Sequence, residues 1–372
     1  MAAMSDVYIH AIETAVPETV YEQAFVRDLM KAQSGLGRRA QRLVTGIYNA
    51  SAIERRHSVI TDLRPESQGG AFFDAGSGQL LSPSTGLRNE RYTQTARGLF
   101  AEAASRALAA CPALTAHDVT HVITVSCTGF FAPGPDYTVV RDVKLNPDVQ
   151  RYHLGFMGCY AAFPALRAAR AFCESDPQAV VLVICTELCS LHVRVADDPD
   201  TLIAGSVFAD GAAAALVSAR LPQGPALRLN SFATTLTPTG EEDMAWTIGD
   251  EGFEMKLSTY VPAIIEEHLG SALSPLLGPL AADQVRFWAI HPGGRSILDK
   301  VQTGLGLSDE QLQPSRRVLR EYGNMSSATV LFVLREILHA DGTGQGENVG
   351  AMAFGPGLTV ESALLAKVPA AS

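Results

Sequence analysis

Residues 179–185, Ala-Val-Val-Leu-Val-Ile-Cys, form the longest apolar run of the chain and constrain its fold more than any other feature. The run is far too short to cross a bilayer, which takes about 20 residues. A strand that faced water on one side would alternate polar and apolar positions. An unbroken run belongs instead to a strand inside a parallel or mixed sheet covered on both faces. Helices therefore have to pack on both sides of it.

The flanking patterns fit such an α/β protein. Strands are expected over Asp6–Ala15, His121–Ser126 and Arg286–Ile290, and helices over Tyr21–Lys31, Thr93–Ala110 and Ala161–Glu174, with Pro164 tolerated in a first turn. Residues 64–90 carry glycine and proline punctuation with little periodicity and read as a long loop. At 372 residues the chain exceeds one ordinary domain, and two fused halves account for it better than two separate domains. Two pairs of segments support a repeat. Phe208-Ala209-Asp210-Gly211 and Phe354-Gly355-Pro356-Gly357 each precede an apolar segment, and strands ending at Ser126 and Ile290 each run into a glycine-bearing turn. The expected division is residues 1–228 and 229–372, with Asn230–Glu242 as the crossover.

Composition narrows the function classes. Hydrophobic content of 47% against 18% charged residues excludes disorder. A net charge of −10 with dispersed cations argues against nucleic acid as a partner. Asp6, His10, Glu13 and Glu18 interrupt any secretory apolar region near residue 1, so a cytoplasmic protein without membrane insertion is expected. The six cysteines lie in apolar segments and read as free thiols. Cys185-x-x-x-Cys189 lacks the spacing and second ligand pair of a zinc site, so no metal and no other cofactor is expected.

Three residues carry the chemistry. Cys159, in Gly158-Cys159-Tyr160-Ala161-Ala162, stands just before a helix amino terminus. There the helix dipole and a nearby imidazolium lower a thiol pKa from ~8.5 towards about 3.5–7.5 and yield a resting thiolate. His291 ends an apolar strand and enters Pro292-Gly293-Gly294, where glycines permit turns that aim the imidazole at a cavity. Asn324, in Gly323-Asn324-Met325-Ser326-Ser327-Ala328, offers a neutral amide donor. A thiolate can hold an acyl group as a thioester, while a histidine nitrogen and an amide hydrogen-bond the enolate left by decarboxylation of a malonyl thioester. A carboxylate in place of the amide would repel that enolate. Each of these residues alone has an ordinary structural use, and it is their combination that points to chemistry.

Together with Trp288–Gly294 and Tyr322–Ala328, the segment Phe354-Gly355-Pro356-Gly357-Leu358-Thr359-Val360-Glu361 resembles the signature set of type III polyketide synthases, the chalcone synthase superfamily, in order from about residue 6 to 366. The resemblance implies a thiolase fold, in which two pseudo-repeated halves build five αβαβα layers, and a homodimer. It implies iterative decarboxylative condensation of malonyl-CoA onto an acyl-CoA starter, with Cys159 as nucleophile, His291 as ion-pair partner and oxyanion donor, and Asn324 as second donor. Phe208 and Phe253 match the two gatekeeper phenylalanines between a CoA tunnel and an elongation cavity, and Ser326, Gly355 and Pro356 fall in motifs that border that cavity.

Departures from the plant pattern bear on substrate choice. Cys127 stands where chalcone synthases carry a threonine, and Ala132 where they pass a methionine into the neighbouring subunit's cavity. Segments 187–192 and 72–78 look like bacterial alkylresorcinol and alkylpyrone synthases, which implies a fatty acyl starter. The plant CoA-binding cations do not align cleanly, and Arg38, Arg39, Arg42 and Arg55 form the densest basic stretch available for the phosphates. A ketoacyl synthase of the fatty acid initiation type uses the same three residue kinds but a His-Gln-Ala-Asn core rather than His291-Pro292-Gly293-Gly294. A catalytically silent acyl-CoA-binding homologue is a further alternative, disfavoured by the intact trio.

Overall fold

The computed structural model describes residues 6–64, 66–340 and 346–369. In chain order the first half comprises β1 (Tyr8–Ala15), β2 (Val20–Glu22), α1 (Gln23–Lys31), α2 (Arg38–Ala50), β3 (Arg55–His57), β4 (Phe73–Asp74), β5 (Gln79–Leu80), α3 (Thr85–Ala110), β6 (His121–Ser126), α4 (Pro135–Asp142), β7 (Gln150–Gly155), α5 (Ala162–Ser175), β8 (Val180–Leu188), α6 (Pro199–Val207) and β9 (Asp210–Ser218). The second comprises β10 (Ala226–Leu236), the hairpin β11 (Met244–Gly249) and β12 (Gly252–Leu257), α7 (Val261–Leu277), β13 (Phe287–Ile290), α8 (Arg295–Leu305), α9 (Asp309–Tyr322), α10 (Thr329–His339), β14 (Glu347–Gly355) and β15 (Thr359–Val368).

Nine strands form one mixed sheet in the order β13-β14-β15-β10-β1-β9-β8-β6-β7. Its two halves correspond. The parallel pair β6·β8 matches β13·β14, and antiparallel β9 and β15 follow each pair inward to β1 and β10. Between the halves, β1 pairs with β10 at Tyr8↔Arg228 and Ile9↔Leu227, with Leu229 N–H donating to Val7 O beside them, a join narrow enough for the sheet to fold into two layers. Both segment pairs read as repeats therefore occupy equivalent places, at β6 and β13 and ahead of β9 and β15.

Side-chain parity shows the layers. Along β8, Val181, Val183 and Cys185 face a central cluster with α5 and α10, which also receives Val349, Ala351 and Ala353 of β14. The alternate residues Val180, Leu182 and Ile184 face α3 through Tyr92, Ala96 and Phe100. On the far side, Met352 and Phe354 meet Val261 and Ile265 of α7 and Leu312 of α9. The result is helix, sheet, helix, sheet, helix: the thiolase arrangement, with every residue of the inner strands β8 and β9 buried on one side or the other. Full burial of each Val, Leu or Ile contributes roughly 1.5–3 kcal/mol, which is why the 179–185 run tolerates no polar alternation.

Two expectations are corrected. The segment 230–242 is not a free crossover, because β10 occupies residues 226–236 and pairs with β15 along its length. The long loop ends early, since Ser84 caps α3 by accepting from Leu87 N–H and starts that helix at Thr85 rather than Thr93; β4 and β5 also pair within it.

Candidate active site

The two central helices begin side by side. Cys159 sits in the single turn Gly158–Tyr160 ahead of α5, and Asn324 lies just before the turn Ser326–Ala328 that leads into α10, and the two turns touch. His291 follows β13 as Cys127 follows β6, so the fold's internal repeat brings four site residues to one place. Cys159, His291 and Asn324 line one cavity of about 560 Å³.

Local chemistry explains each position. Gly158 has φ +74°, and a Cβ there would collide with the Pro356 ring. Gly158 N–H donates to Cys127 Sγ at 3.1 Å, which fixes the nucleophile's turn to the end of β6. His291 N–H donates to Met352 O at 2.8 Å, extending the β13·β14 pairing by one residue. Asn324 Oδ1 accepts from Ser326 N–H at 2.8 Å, which defines the carboxamide's orientation and leaves Nδ2 as donor, 3.3 Å from Gly293 O. Ser326 carries φ +48°, a left-handed conformation that costs of order 1 kcal/mol in a non-glycine residue and is held by this bond.

Electrostatics differ from the resting thiolate expected from the sequence. Burial pushes the Cys159 thiol up to about 11, with the Glu187 carboxylate adding to the rise and hydrogen bonds from Ser326 and Asn324 opposing it. Burial takes His291 down to about 3. His291 is 1% exposed, and among the described residues neither ring nitrogen has a hydrogen-bond partner. Taken singly, each group favours its neutral form, so charge can separate only as a pair, supported by the adjoining amino termini of α5 and α10.

Behind the nucleophile lies Glu187, which the sequence reading did not single out as a site residue. It is fully buried and accepts from Ser327 Oγ (2.5 Å), Cys127 N–H (2.9 Å) and Thr128 Oγ1 (3.0 Å). Burial raises its pKa to about 7. A lone glutamate near the end of the apolar strand β8 gave no sign in one dimension that it would meet the end of β6 and the turn before α10.

The cavity wall differs in part from expectation. Phe208 and Met255 border both the main cavity and a second one of about 90 Å³, whereas Phe253 and Trp246 border only the second. Cys127, Ser326, Gly355 and Pro356 line neither; they stand behind the wall and brace it. Gly355, for instance, lies against the Tyr160 ring so closely that a Cβ would not fit. Ala132 is exposed and also lines neither cavity. Arg38, Arg39, Arg42 and Arg55 are exposed and off the cavity walls, with Arg55 paired to Glu321. The cations on the main cavity are Arg295 and Lys300 of α8, about half exposed, each with a carboxylate neighbour, Asp299 and Glu266. They lie just past the histidine motif, close enough in sequence to have been found from it. Among the described residues no His, Cys, Asp and Glu cluster could hold a metal ion, and no helix is long and apolar enough to cross a membrane.

A thiolase fold with a cysteine, a histidine and an amide on one cavity defines an acyl-transferring enzyme. The N-terminal domain profile of chalcone and stilbene synthases matches residues 1–221 and the C-terminal domain profile matches residues 228–369, and the chain belongs to that family, the type III polyketide synthases. It is similar to polyketide synthase PKS-I of the brown alga Ectocarpus siliculosus, with 30% identity and a TM-score of 0.90 over 98% of this chain and 99% of that one. It is also similar to the C-terminal type III polyketide synthase domain of Steely1, a type I/III hybrid from Dictyostelium, with 27% identity and a TM-score of 0.89 over 98% and 99% of the two chains.

Proposed function

We propose that this enzyme extends an acyl-CoA starter by successive decarboxylative condensations with malonyl-CoA. The carrying observation is the shared cavity, on which Cys159, an unpartnered His291 and the oriented amide of Asn324 converge. Cys159 sulfur, its proton passed to His291, attacks the starter carbonyl; free CoA leaves and the acyl group stays on sulfur. Malonyl-CoA then loses carbon dioxide, and the enolate oxygen is held by N–H donors of His291 and Asn324, each worth ~3 kcal/mol. The enolate carbon attacks the acyl carbonyl, the Cys159 thiolate leaves, and the extended β-ketoacyl-CoA can reload for another round. No metal or further cofactor enters these steps.

A fatty acyl starter, leading to an alkylresorcinol, alkylpyrone or related product, suits the apolar wall built by Met244, Met255, Leu257, Val261 and Phe354. The CoA phosphates fall to Arg295 and Lys300 in preference to Arg38, Arg39, Arg42 and Arg55, because only the α8 pair stands on that wall. A homodimer is supported by β7, an exposed sheet edge, and by exposed Phe130, Tyr137, Tyr152 and Phe156 near it. Ala132, in the same loop as Phe130, would then face the neighbouring subunit. The halves meeting near residues 228 and 229 and a cytoplasmic site of action complete this reading.

The test is incubation with labelled malonyl-CoA and a series of acyl-CoA starters, read by mass spectrometry. Several extensions from free malonyl-CoA are expected. A single extension that strictly requires malonyl-carrier protein would replace this reading with the ketoacyl synthase one.

A further inference from the structure

Arg56, in β3, is a cation buried in the body of the protein, 7% exposed. Among the described residues, its hydrogen bonds run to backbone carbonyls and none to a carboxylate. Its Nη1 donates to two backbone carbonyls at the end of α6, Gly205 O at 2.8 Å and Phe208 O at 2.7 Å. Carbonyls at a helix carboxyl terminus carry partial negative charge, so a guanidinium beneath them is favoured and closes the helix where no glycine does. Tyr48 hydroxyl donates to the same Gly205 oxygen at 3.0 Å, and its ring lies 5.7 Å from the Arg56 guanidinium carbon.

The segment gripped in this way carries the site. Val207 O accepts from Asn324 N–H at 2.8 Å, and Ala209 N–H donates to Asn324 O at 2.8 Å, so Phe208 and Asn324 run side by side as a bridge. The stem of Arg56 passes against Gly323, where φ is +73° and a Cβ would come within 3.1 Å of Arg56 Cγ and 3.0 Å of Val207 O. Arg56 thus joins three pieces of chain distant in sequence: β3, the end of α6, and the turn that presents the Asn324 amide.

We propose that Arg56, which also borders the second cavity, is a positioning residue for the condensation reaction: it sets the place of the Asn324 amide and of the Phe208 ring rather than acting on the reacting atoms. This rests on the assignment of Asn324 as an enolate donor. A displacement of about 1 Å in such a donor can cost ~10²-fold in rate. Loading of Cys159, held by the separate turn at Gly158, should be indifferent to Arg56.

The experiment compares the full-length protein with Arg56→Met and Arg56→Lys in three measurements: kcat and KM for malonyl-CoA decarboxylation, the rate of iodoacetamide labelling at Cys159, and the thermal midpoint. Arg56→Met is expected to lower kcat by about 10- to 100-fold, while KM and the labelling rate stay within about threefold of the parent. Arg56→Lys keeps a cation under α6 with shorter reach, should fold where the methionine variant does not, and should show the same split at smaller amplitude. Unchanged kcat in both variants, or kcat falling in step with labelling, would overturn the proposal. A parent protein that does not decarboxylate malonyl-CoA would overturn the functional reading and this one with it, whereas an active parent with indifferent variants overturns this one alone.

Discussion

His192 lies flat against Phe253, with ring centroids 4.2 Å apart and planes inclined by 12°. Its Nδ1 accepts Phe253 N–H at 3.0 Å, and its Nε2 is 2.7 Å from the Thr128 carbonyl. An acceptor at one nitrogen and a donor at the other exist together only in the neutral ring, in agreement with burial taking this histidine down to about 4. Trp246 closes the group, edge-on to both rings, and donates from Nε1 to Cys127 O at 2.8 Å. The wall of the second cavity is therefore tied to the strand end beside the nucleophile.

Replacing His192 by Ala removes both the stack and the bond to Phe253. Stability should fall by roughly 1–3 kcal/mol, the sum expected for an aromatic pair and a buried hydrogen bond. The freed space should raise kcat/KM for bulkier acyl-CoA starters relative to short ones. Denaturant unfolding and a starter series check the two parts, and an unaltered starter preference would show that this ring does not limit the cavity.

Cys159→Ala should abolish acyl loading, seen as loss of the acyl adduct in intact-protein mass spectra. Malonyl-CoA decarboxylation should persist in part, because His291 and Asn324 remain as donors to the enolate. Chain extension by this variant would disprove the choice of nucleophile.

His291→Ala should leave Cys159 as an isolated buried thiol, whose pKa burial drives upward. Its labelling by iodoacetamide at neutral pH should drop by at least about 100-fold and recover only in strong alkali. The parent should label near neutrality through proton transfer to His291. Superimposable pH profiles for the two proteins would rule out that transfer.

Glu187 has its folded-state pKa raised from 4.5 to about 7 by burial. A raised value means the folded state holds the proton more tightly than the unfolded chain. Its stabilising effect is thus fully present below pH 4.5 and is lost as pH rises through about 7. The loss amounts to roughly 3 kcal/mol at most. Glu187→Gln should flatten the stability profile across that window. Part of the slope should survive, since burial also raises Asp210 to about 6. Urea titrations between pH 4 and 8 give the comparison, and identical slopes would count against an ionising Glu187.

Much of this protein was written in short stretches. The apolar run at 179–185, the strand His121–Ser126 and the turn-forming glycines around Cys159, His291 and Asn324 act through neighbours a few residues away, so their roles follow from residue type and spacing. What the sequence by itself determined was the layered α/β class and the chemical identity of the three site groups. Tertiary structure alone decided the rest. Only the folded-over sheet sets α5 and α10 side by side, buries Cys159 and His291 enough to turn their pKa values away from the charged forms, and brings Glu187, Arg56 and His192 to partners far away in the chain, Ser327, Phe208 and Phe253. It also decides that Arg295 and Lys300 rather than the arginines of α2 stand on the cavity, because a cavity is a surface enclosed by distant segments. Which side chains reach it depends on how layers pack, and no local pattern encodes that.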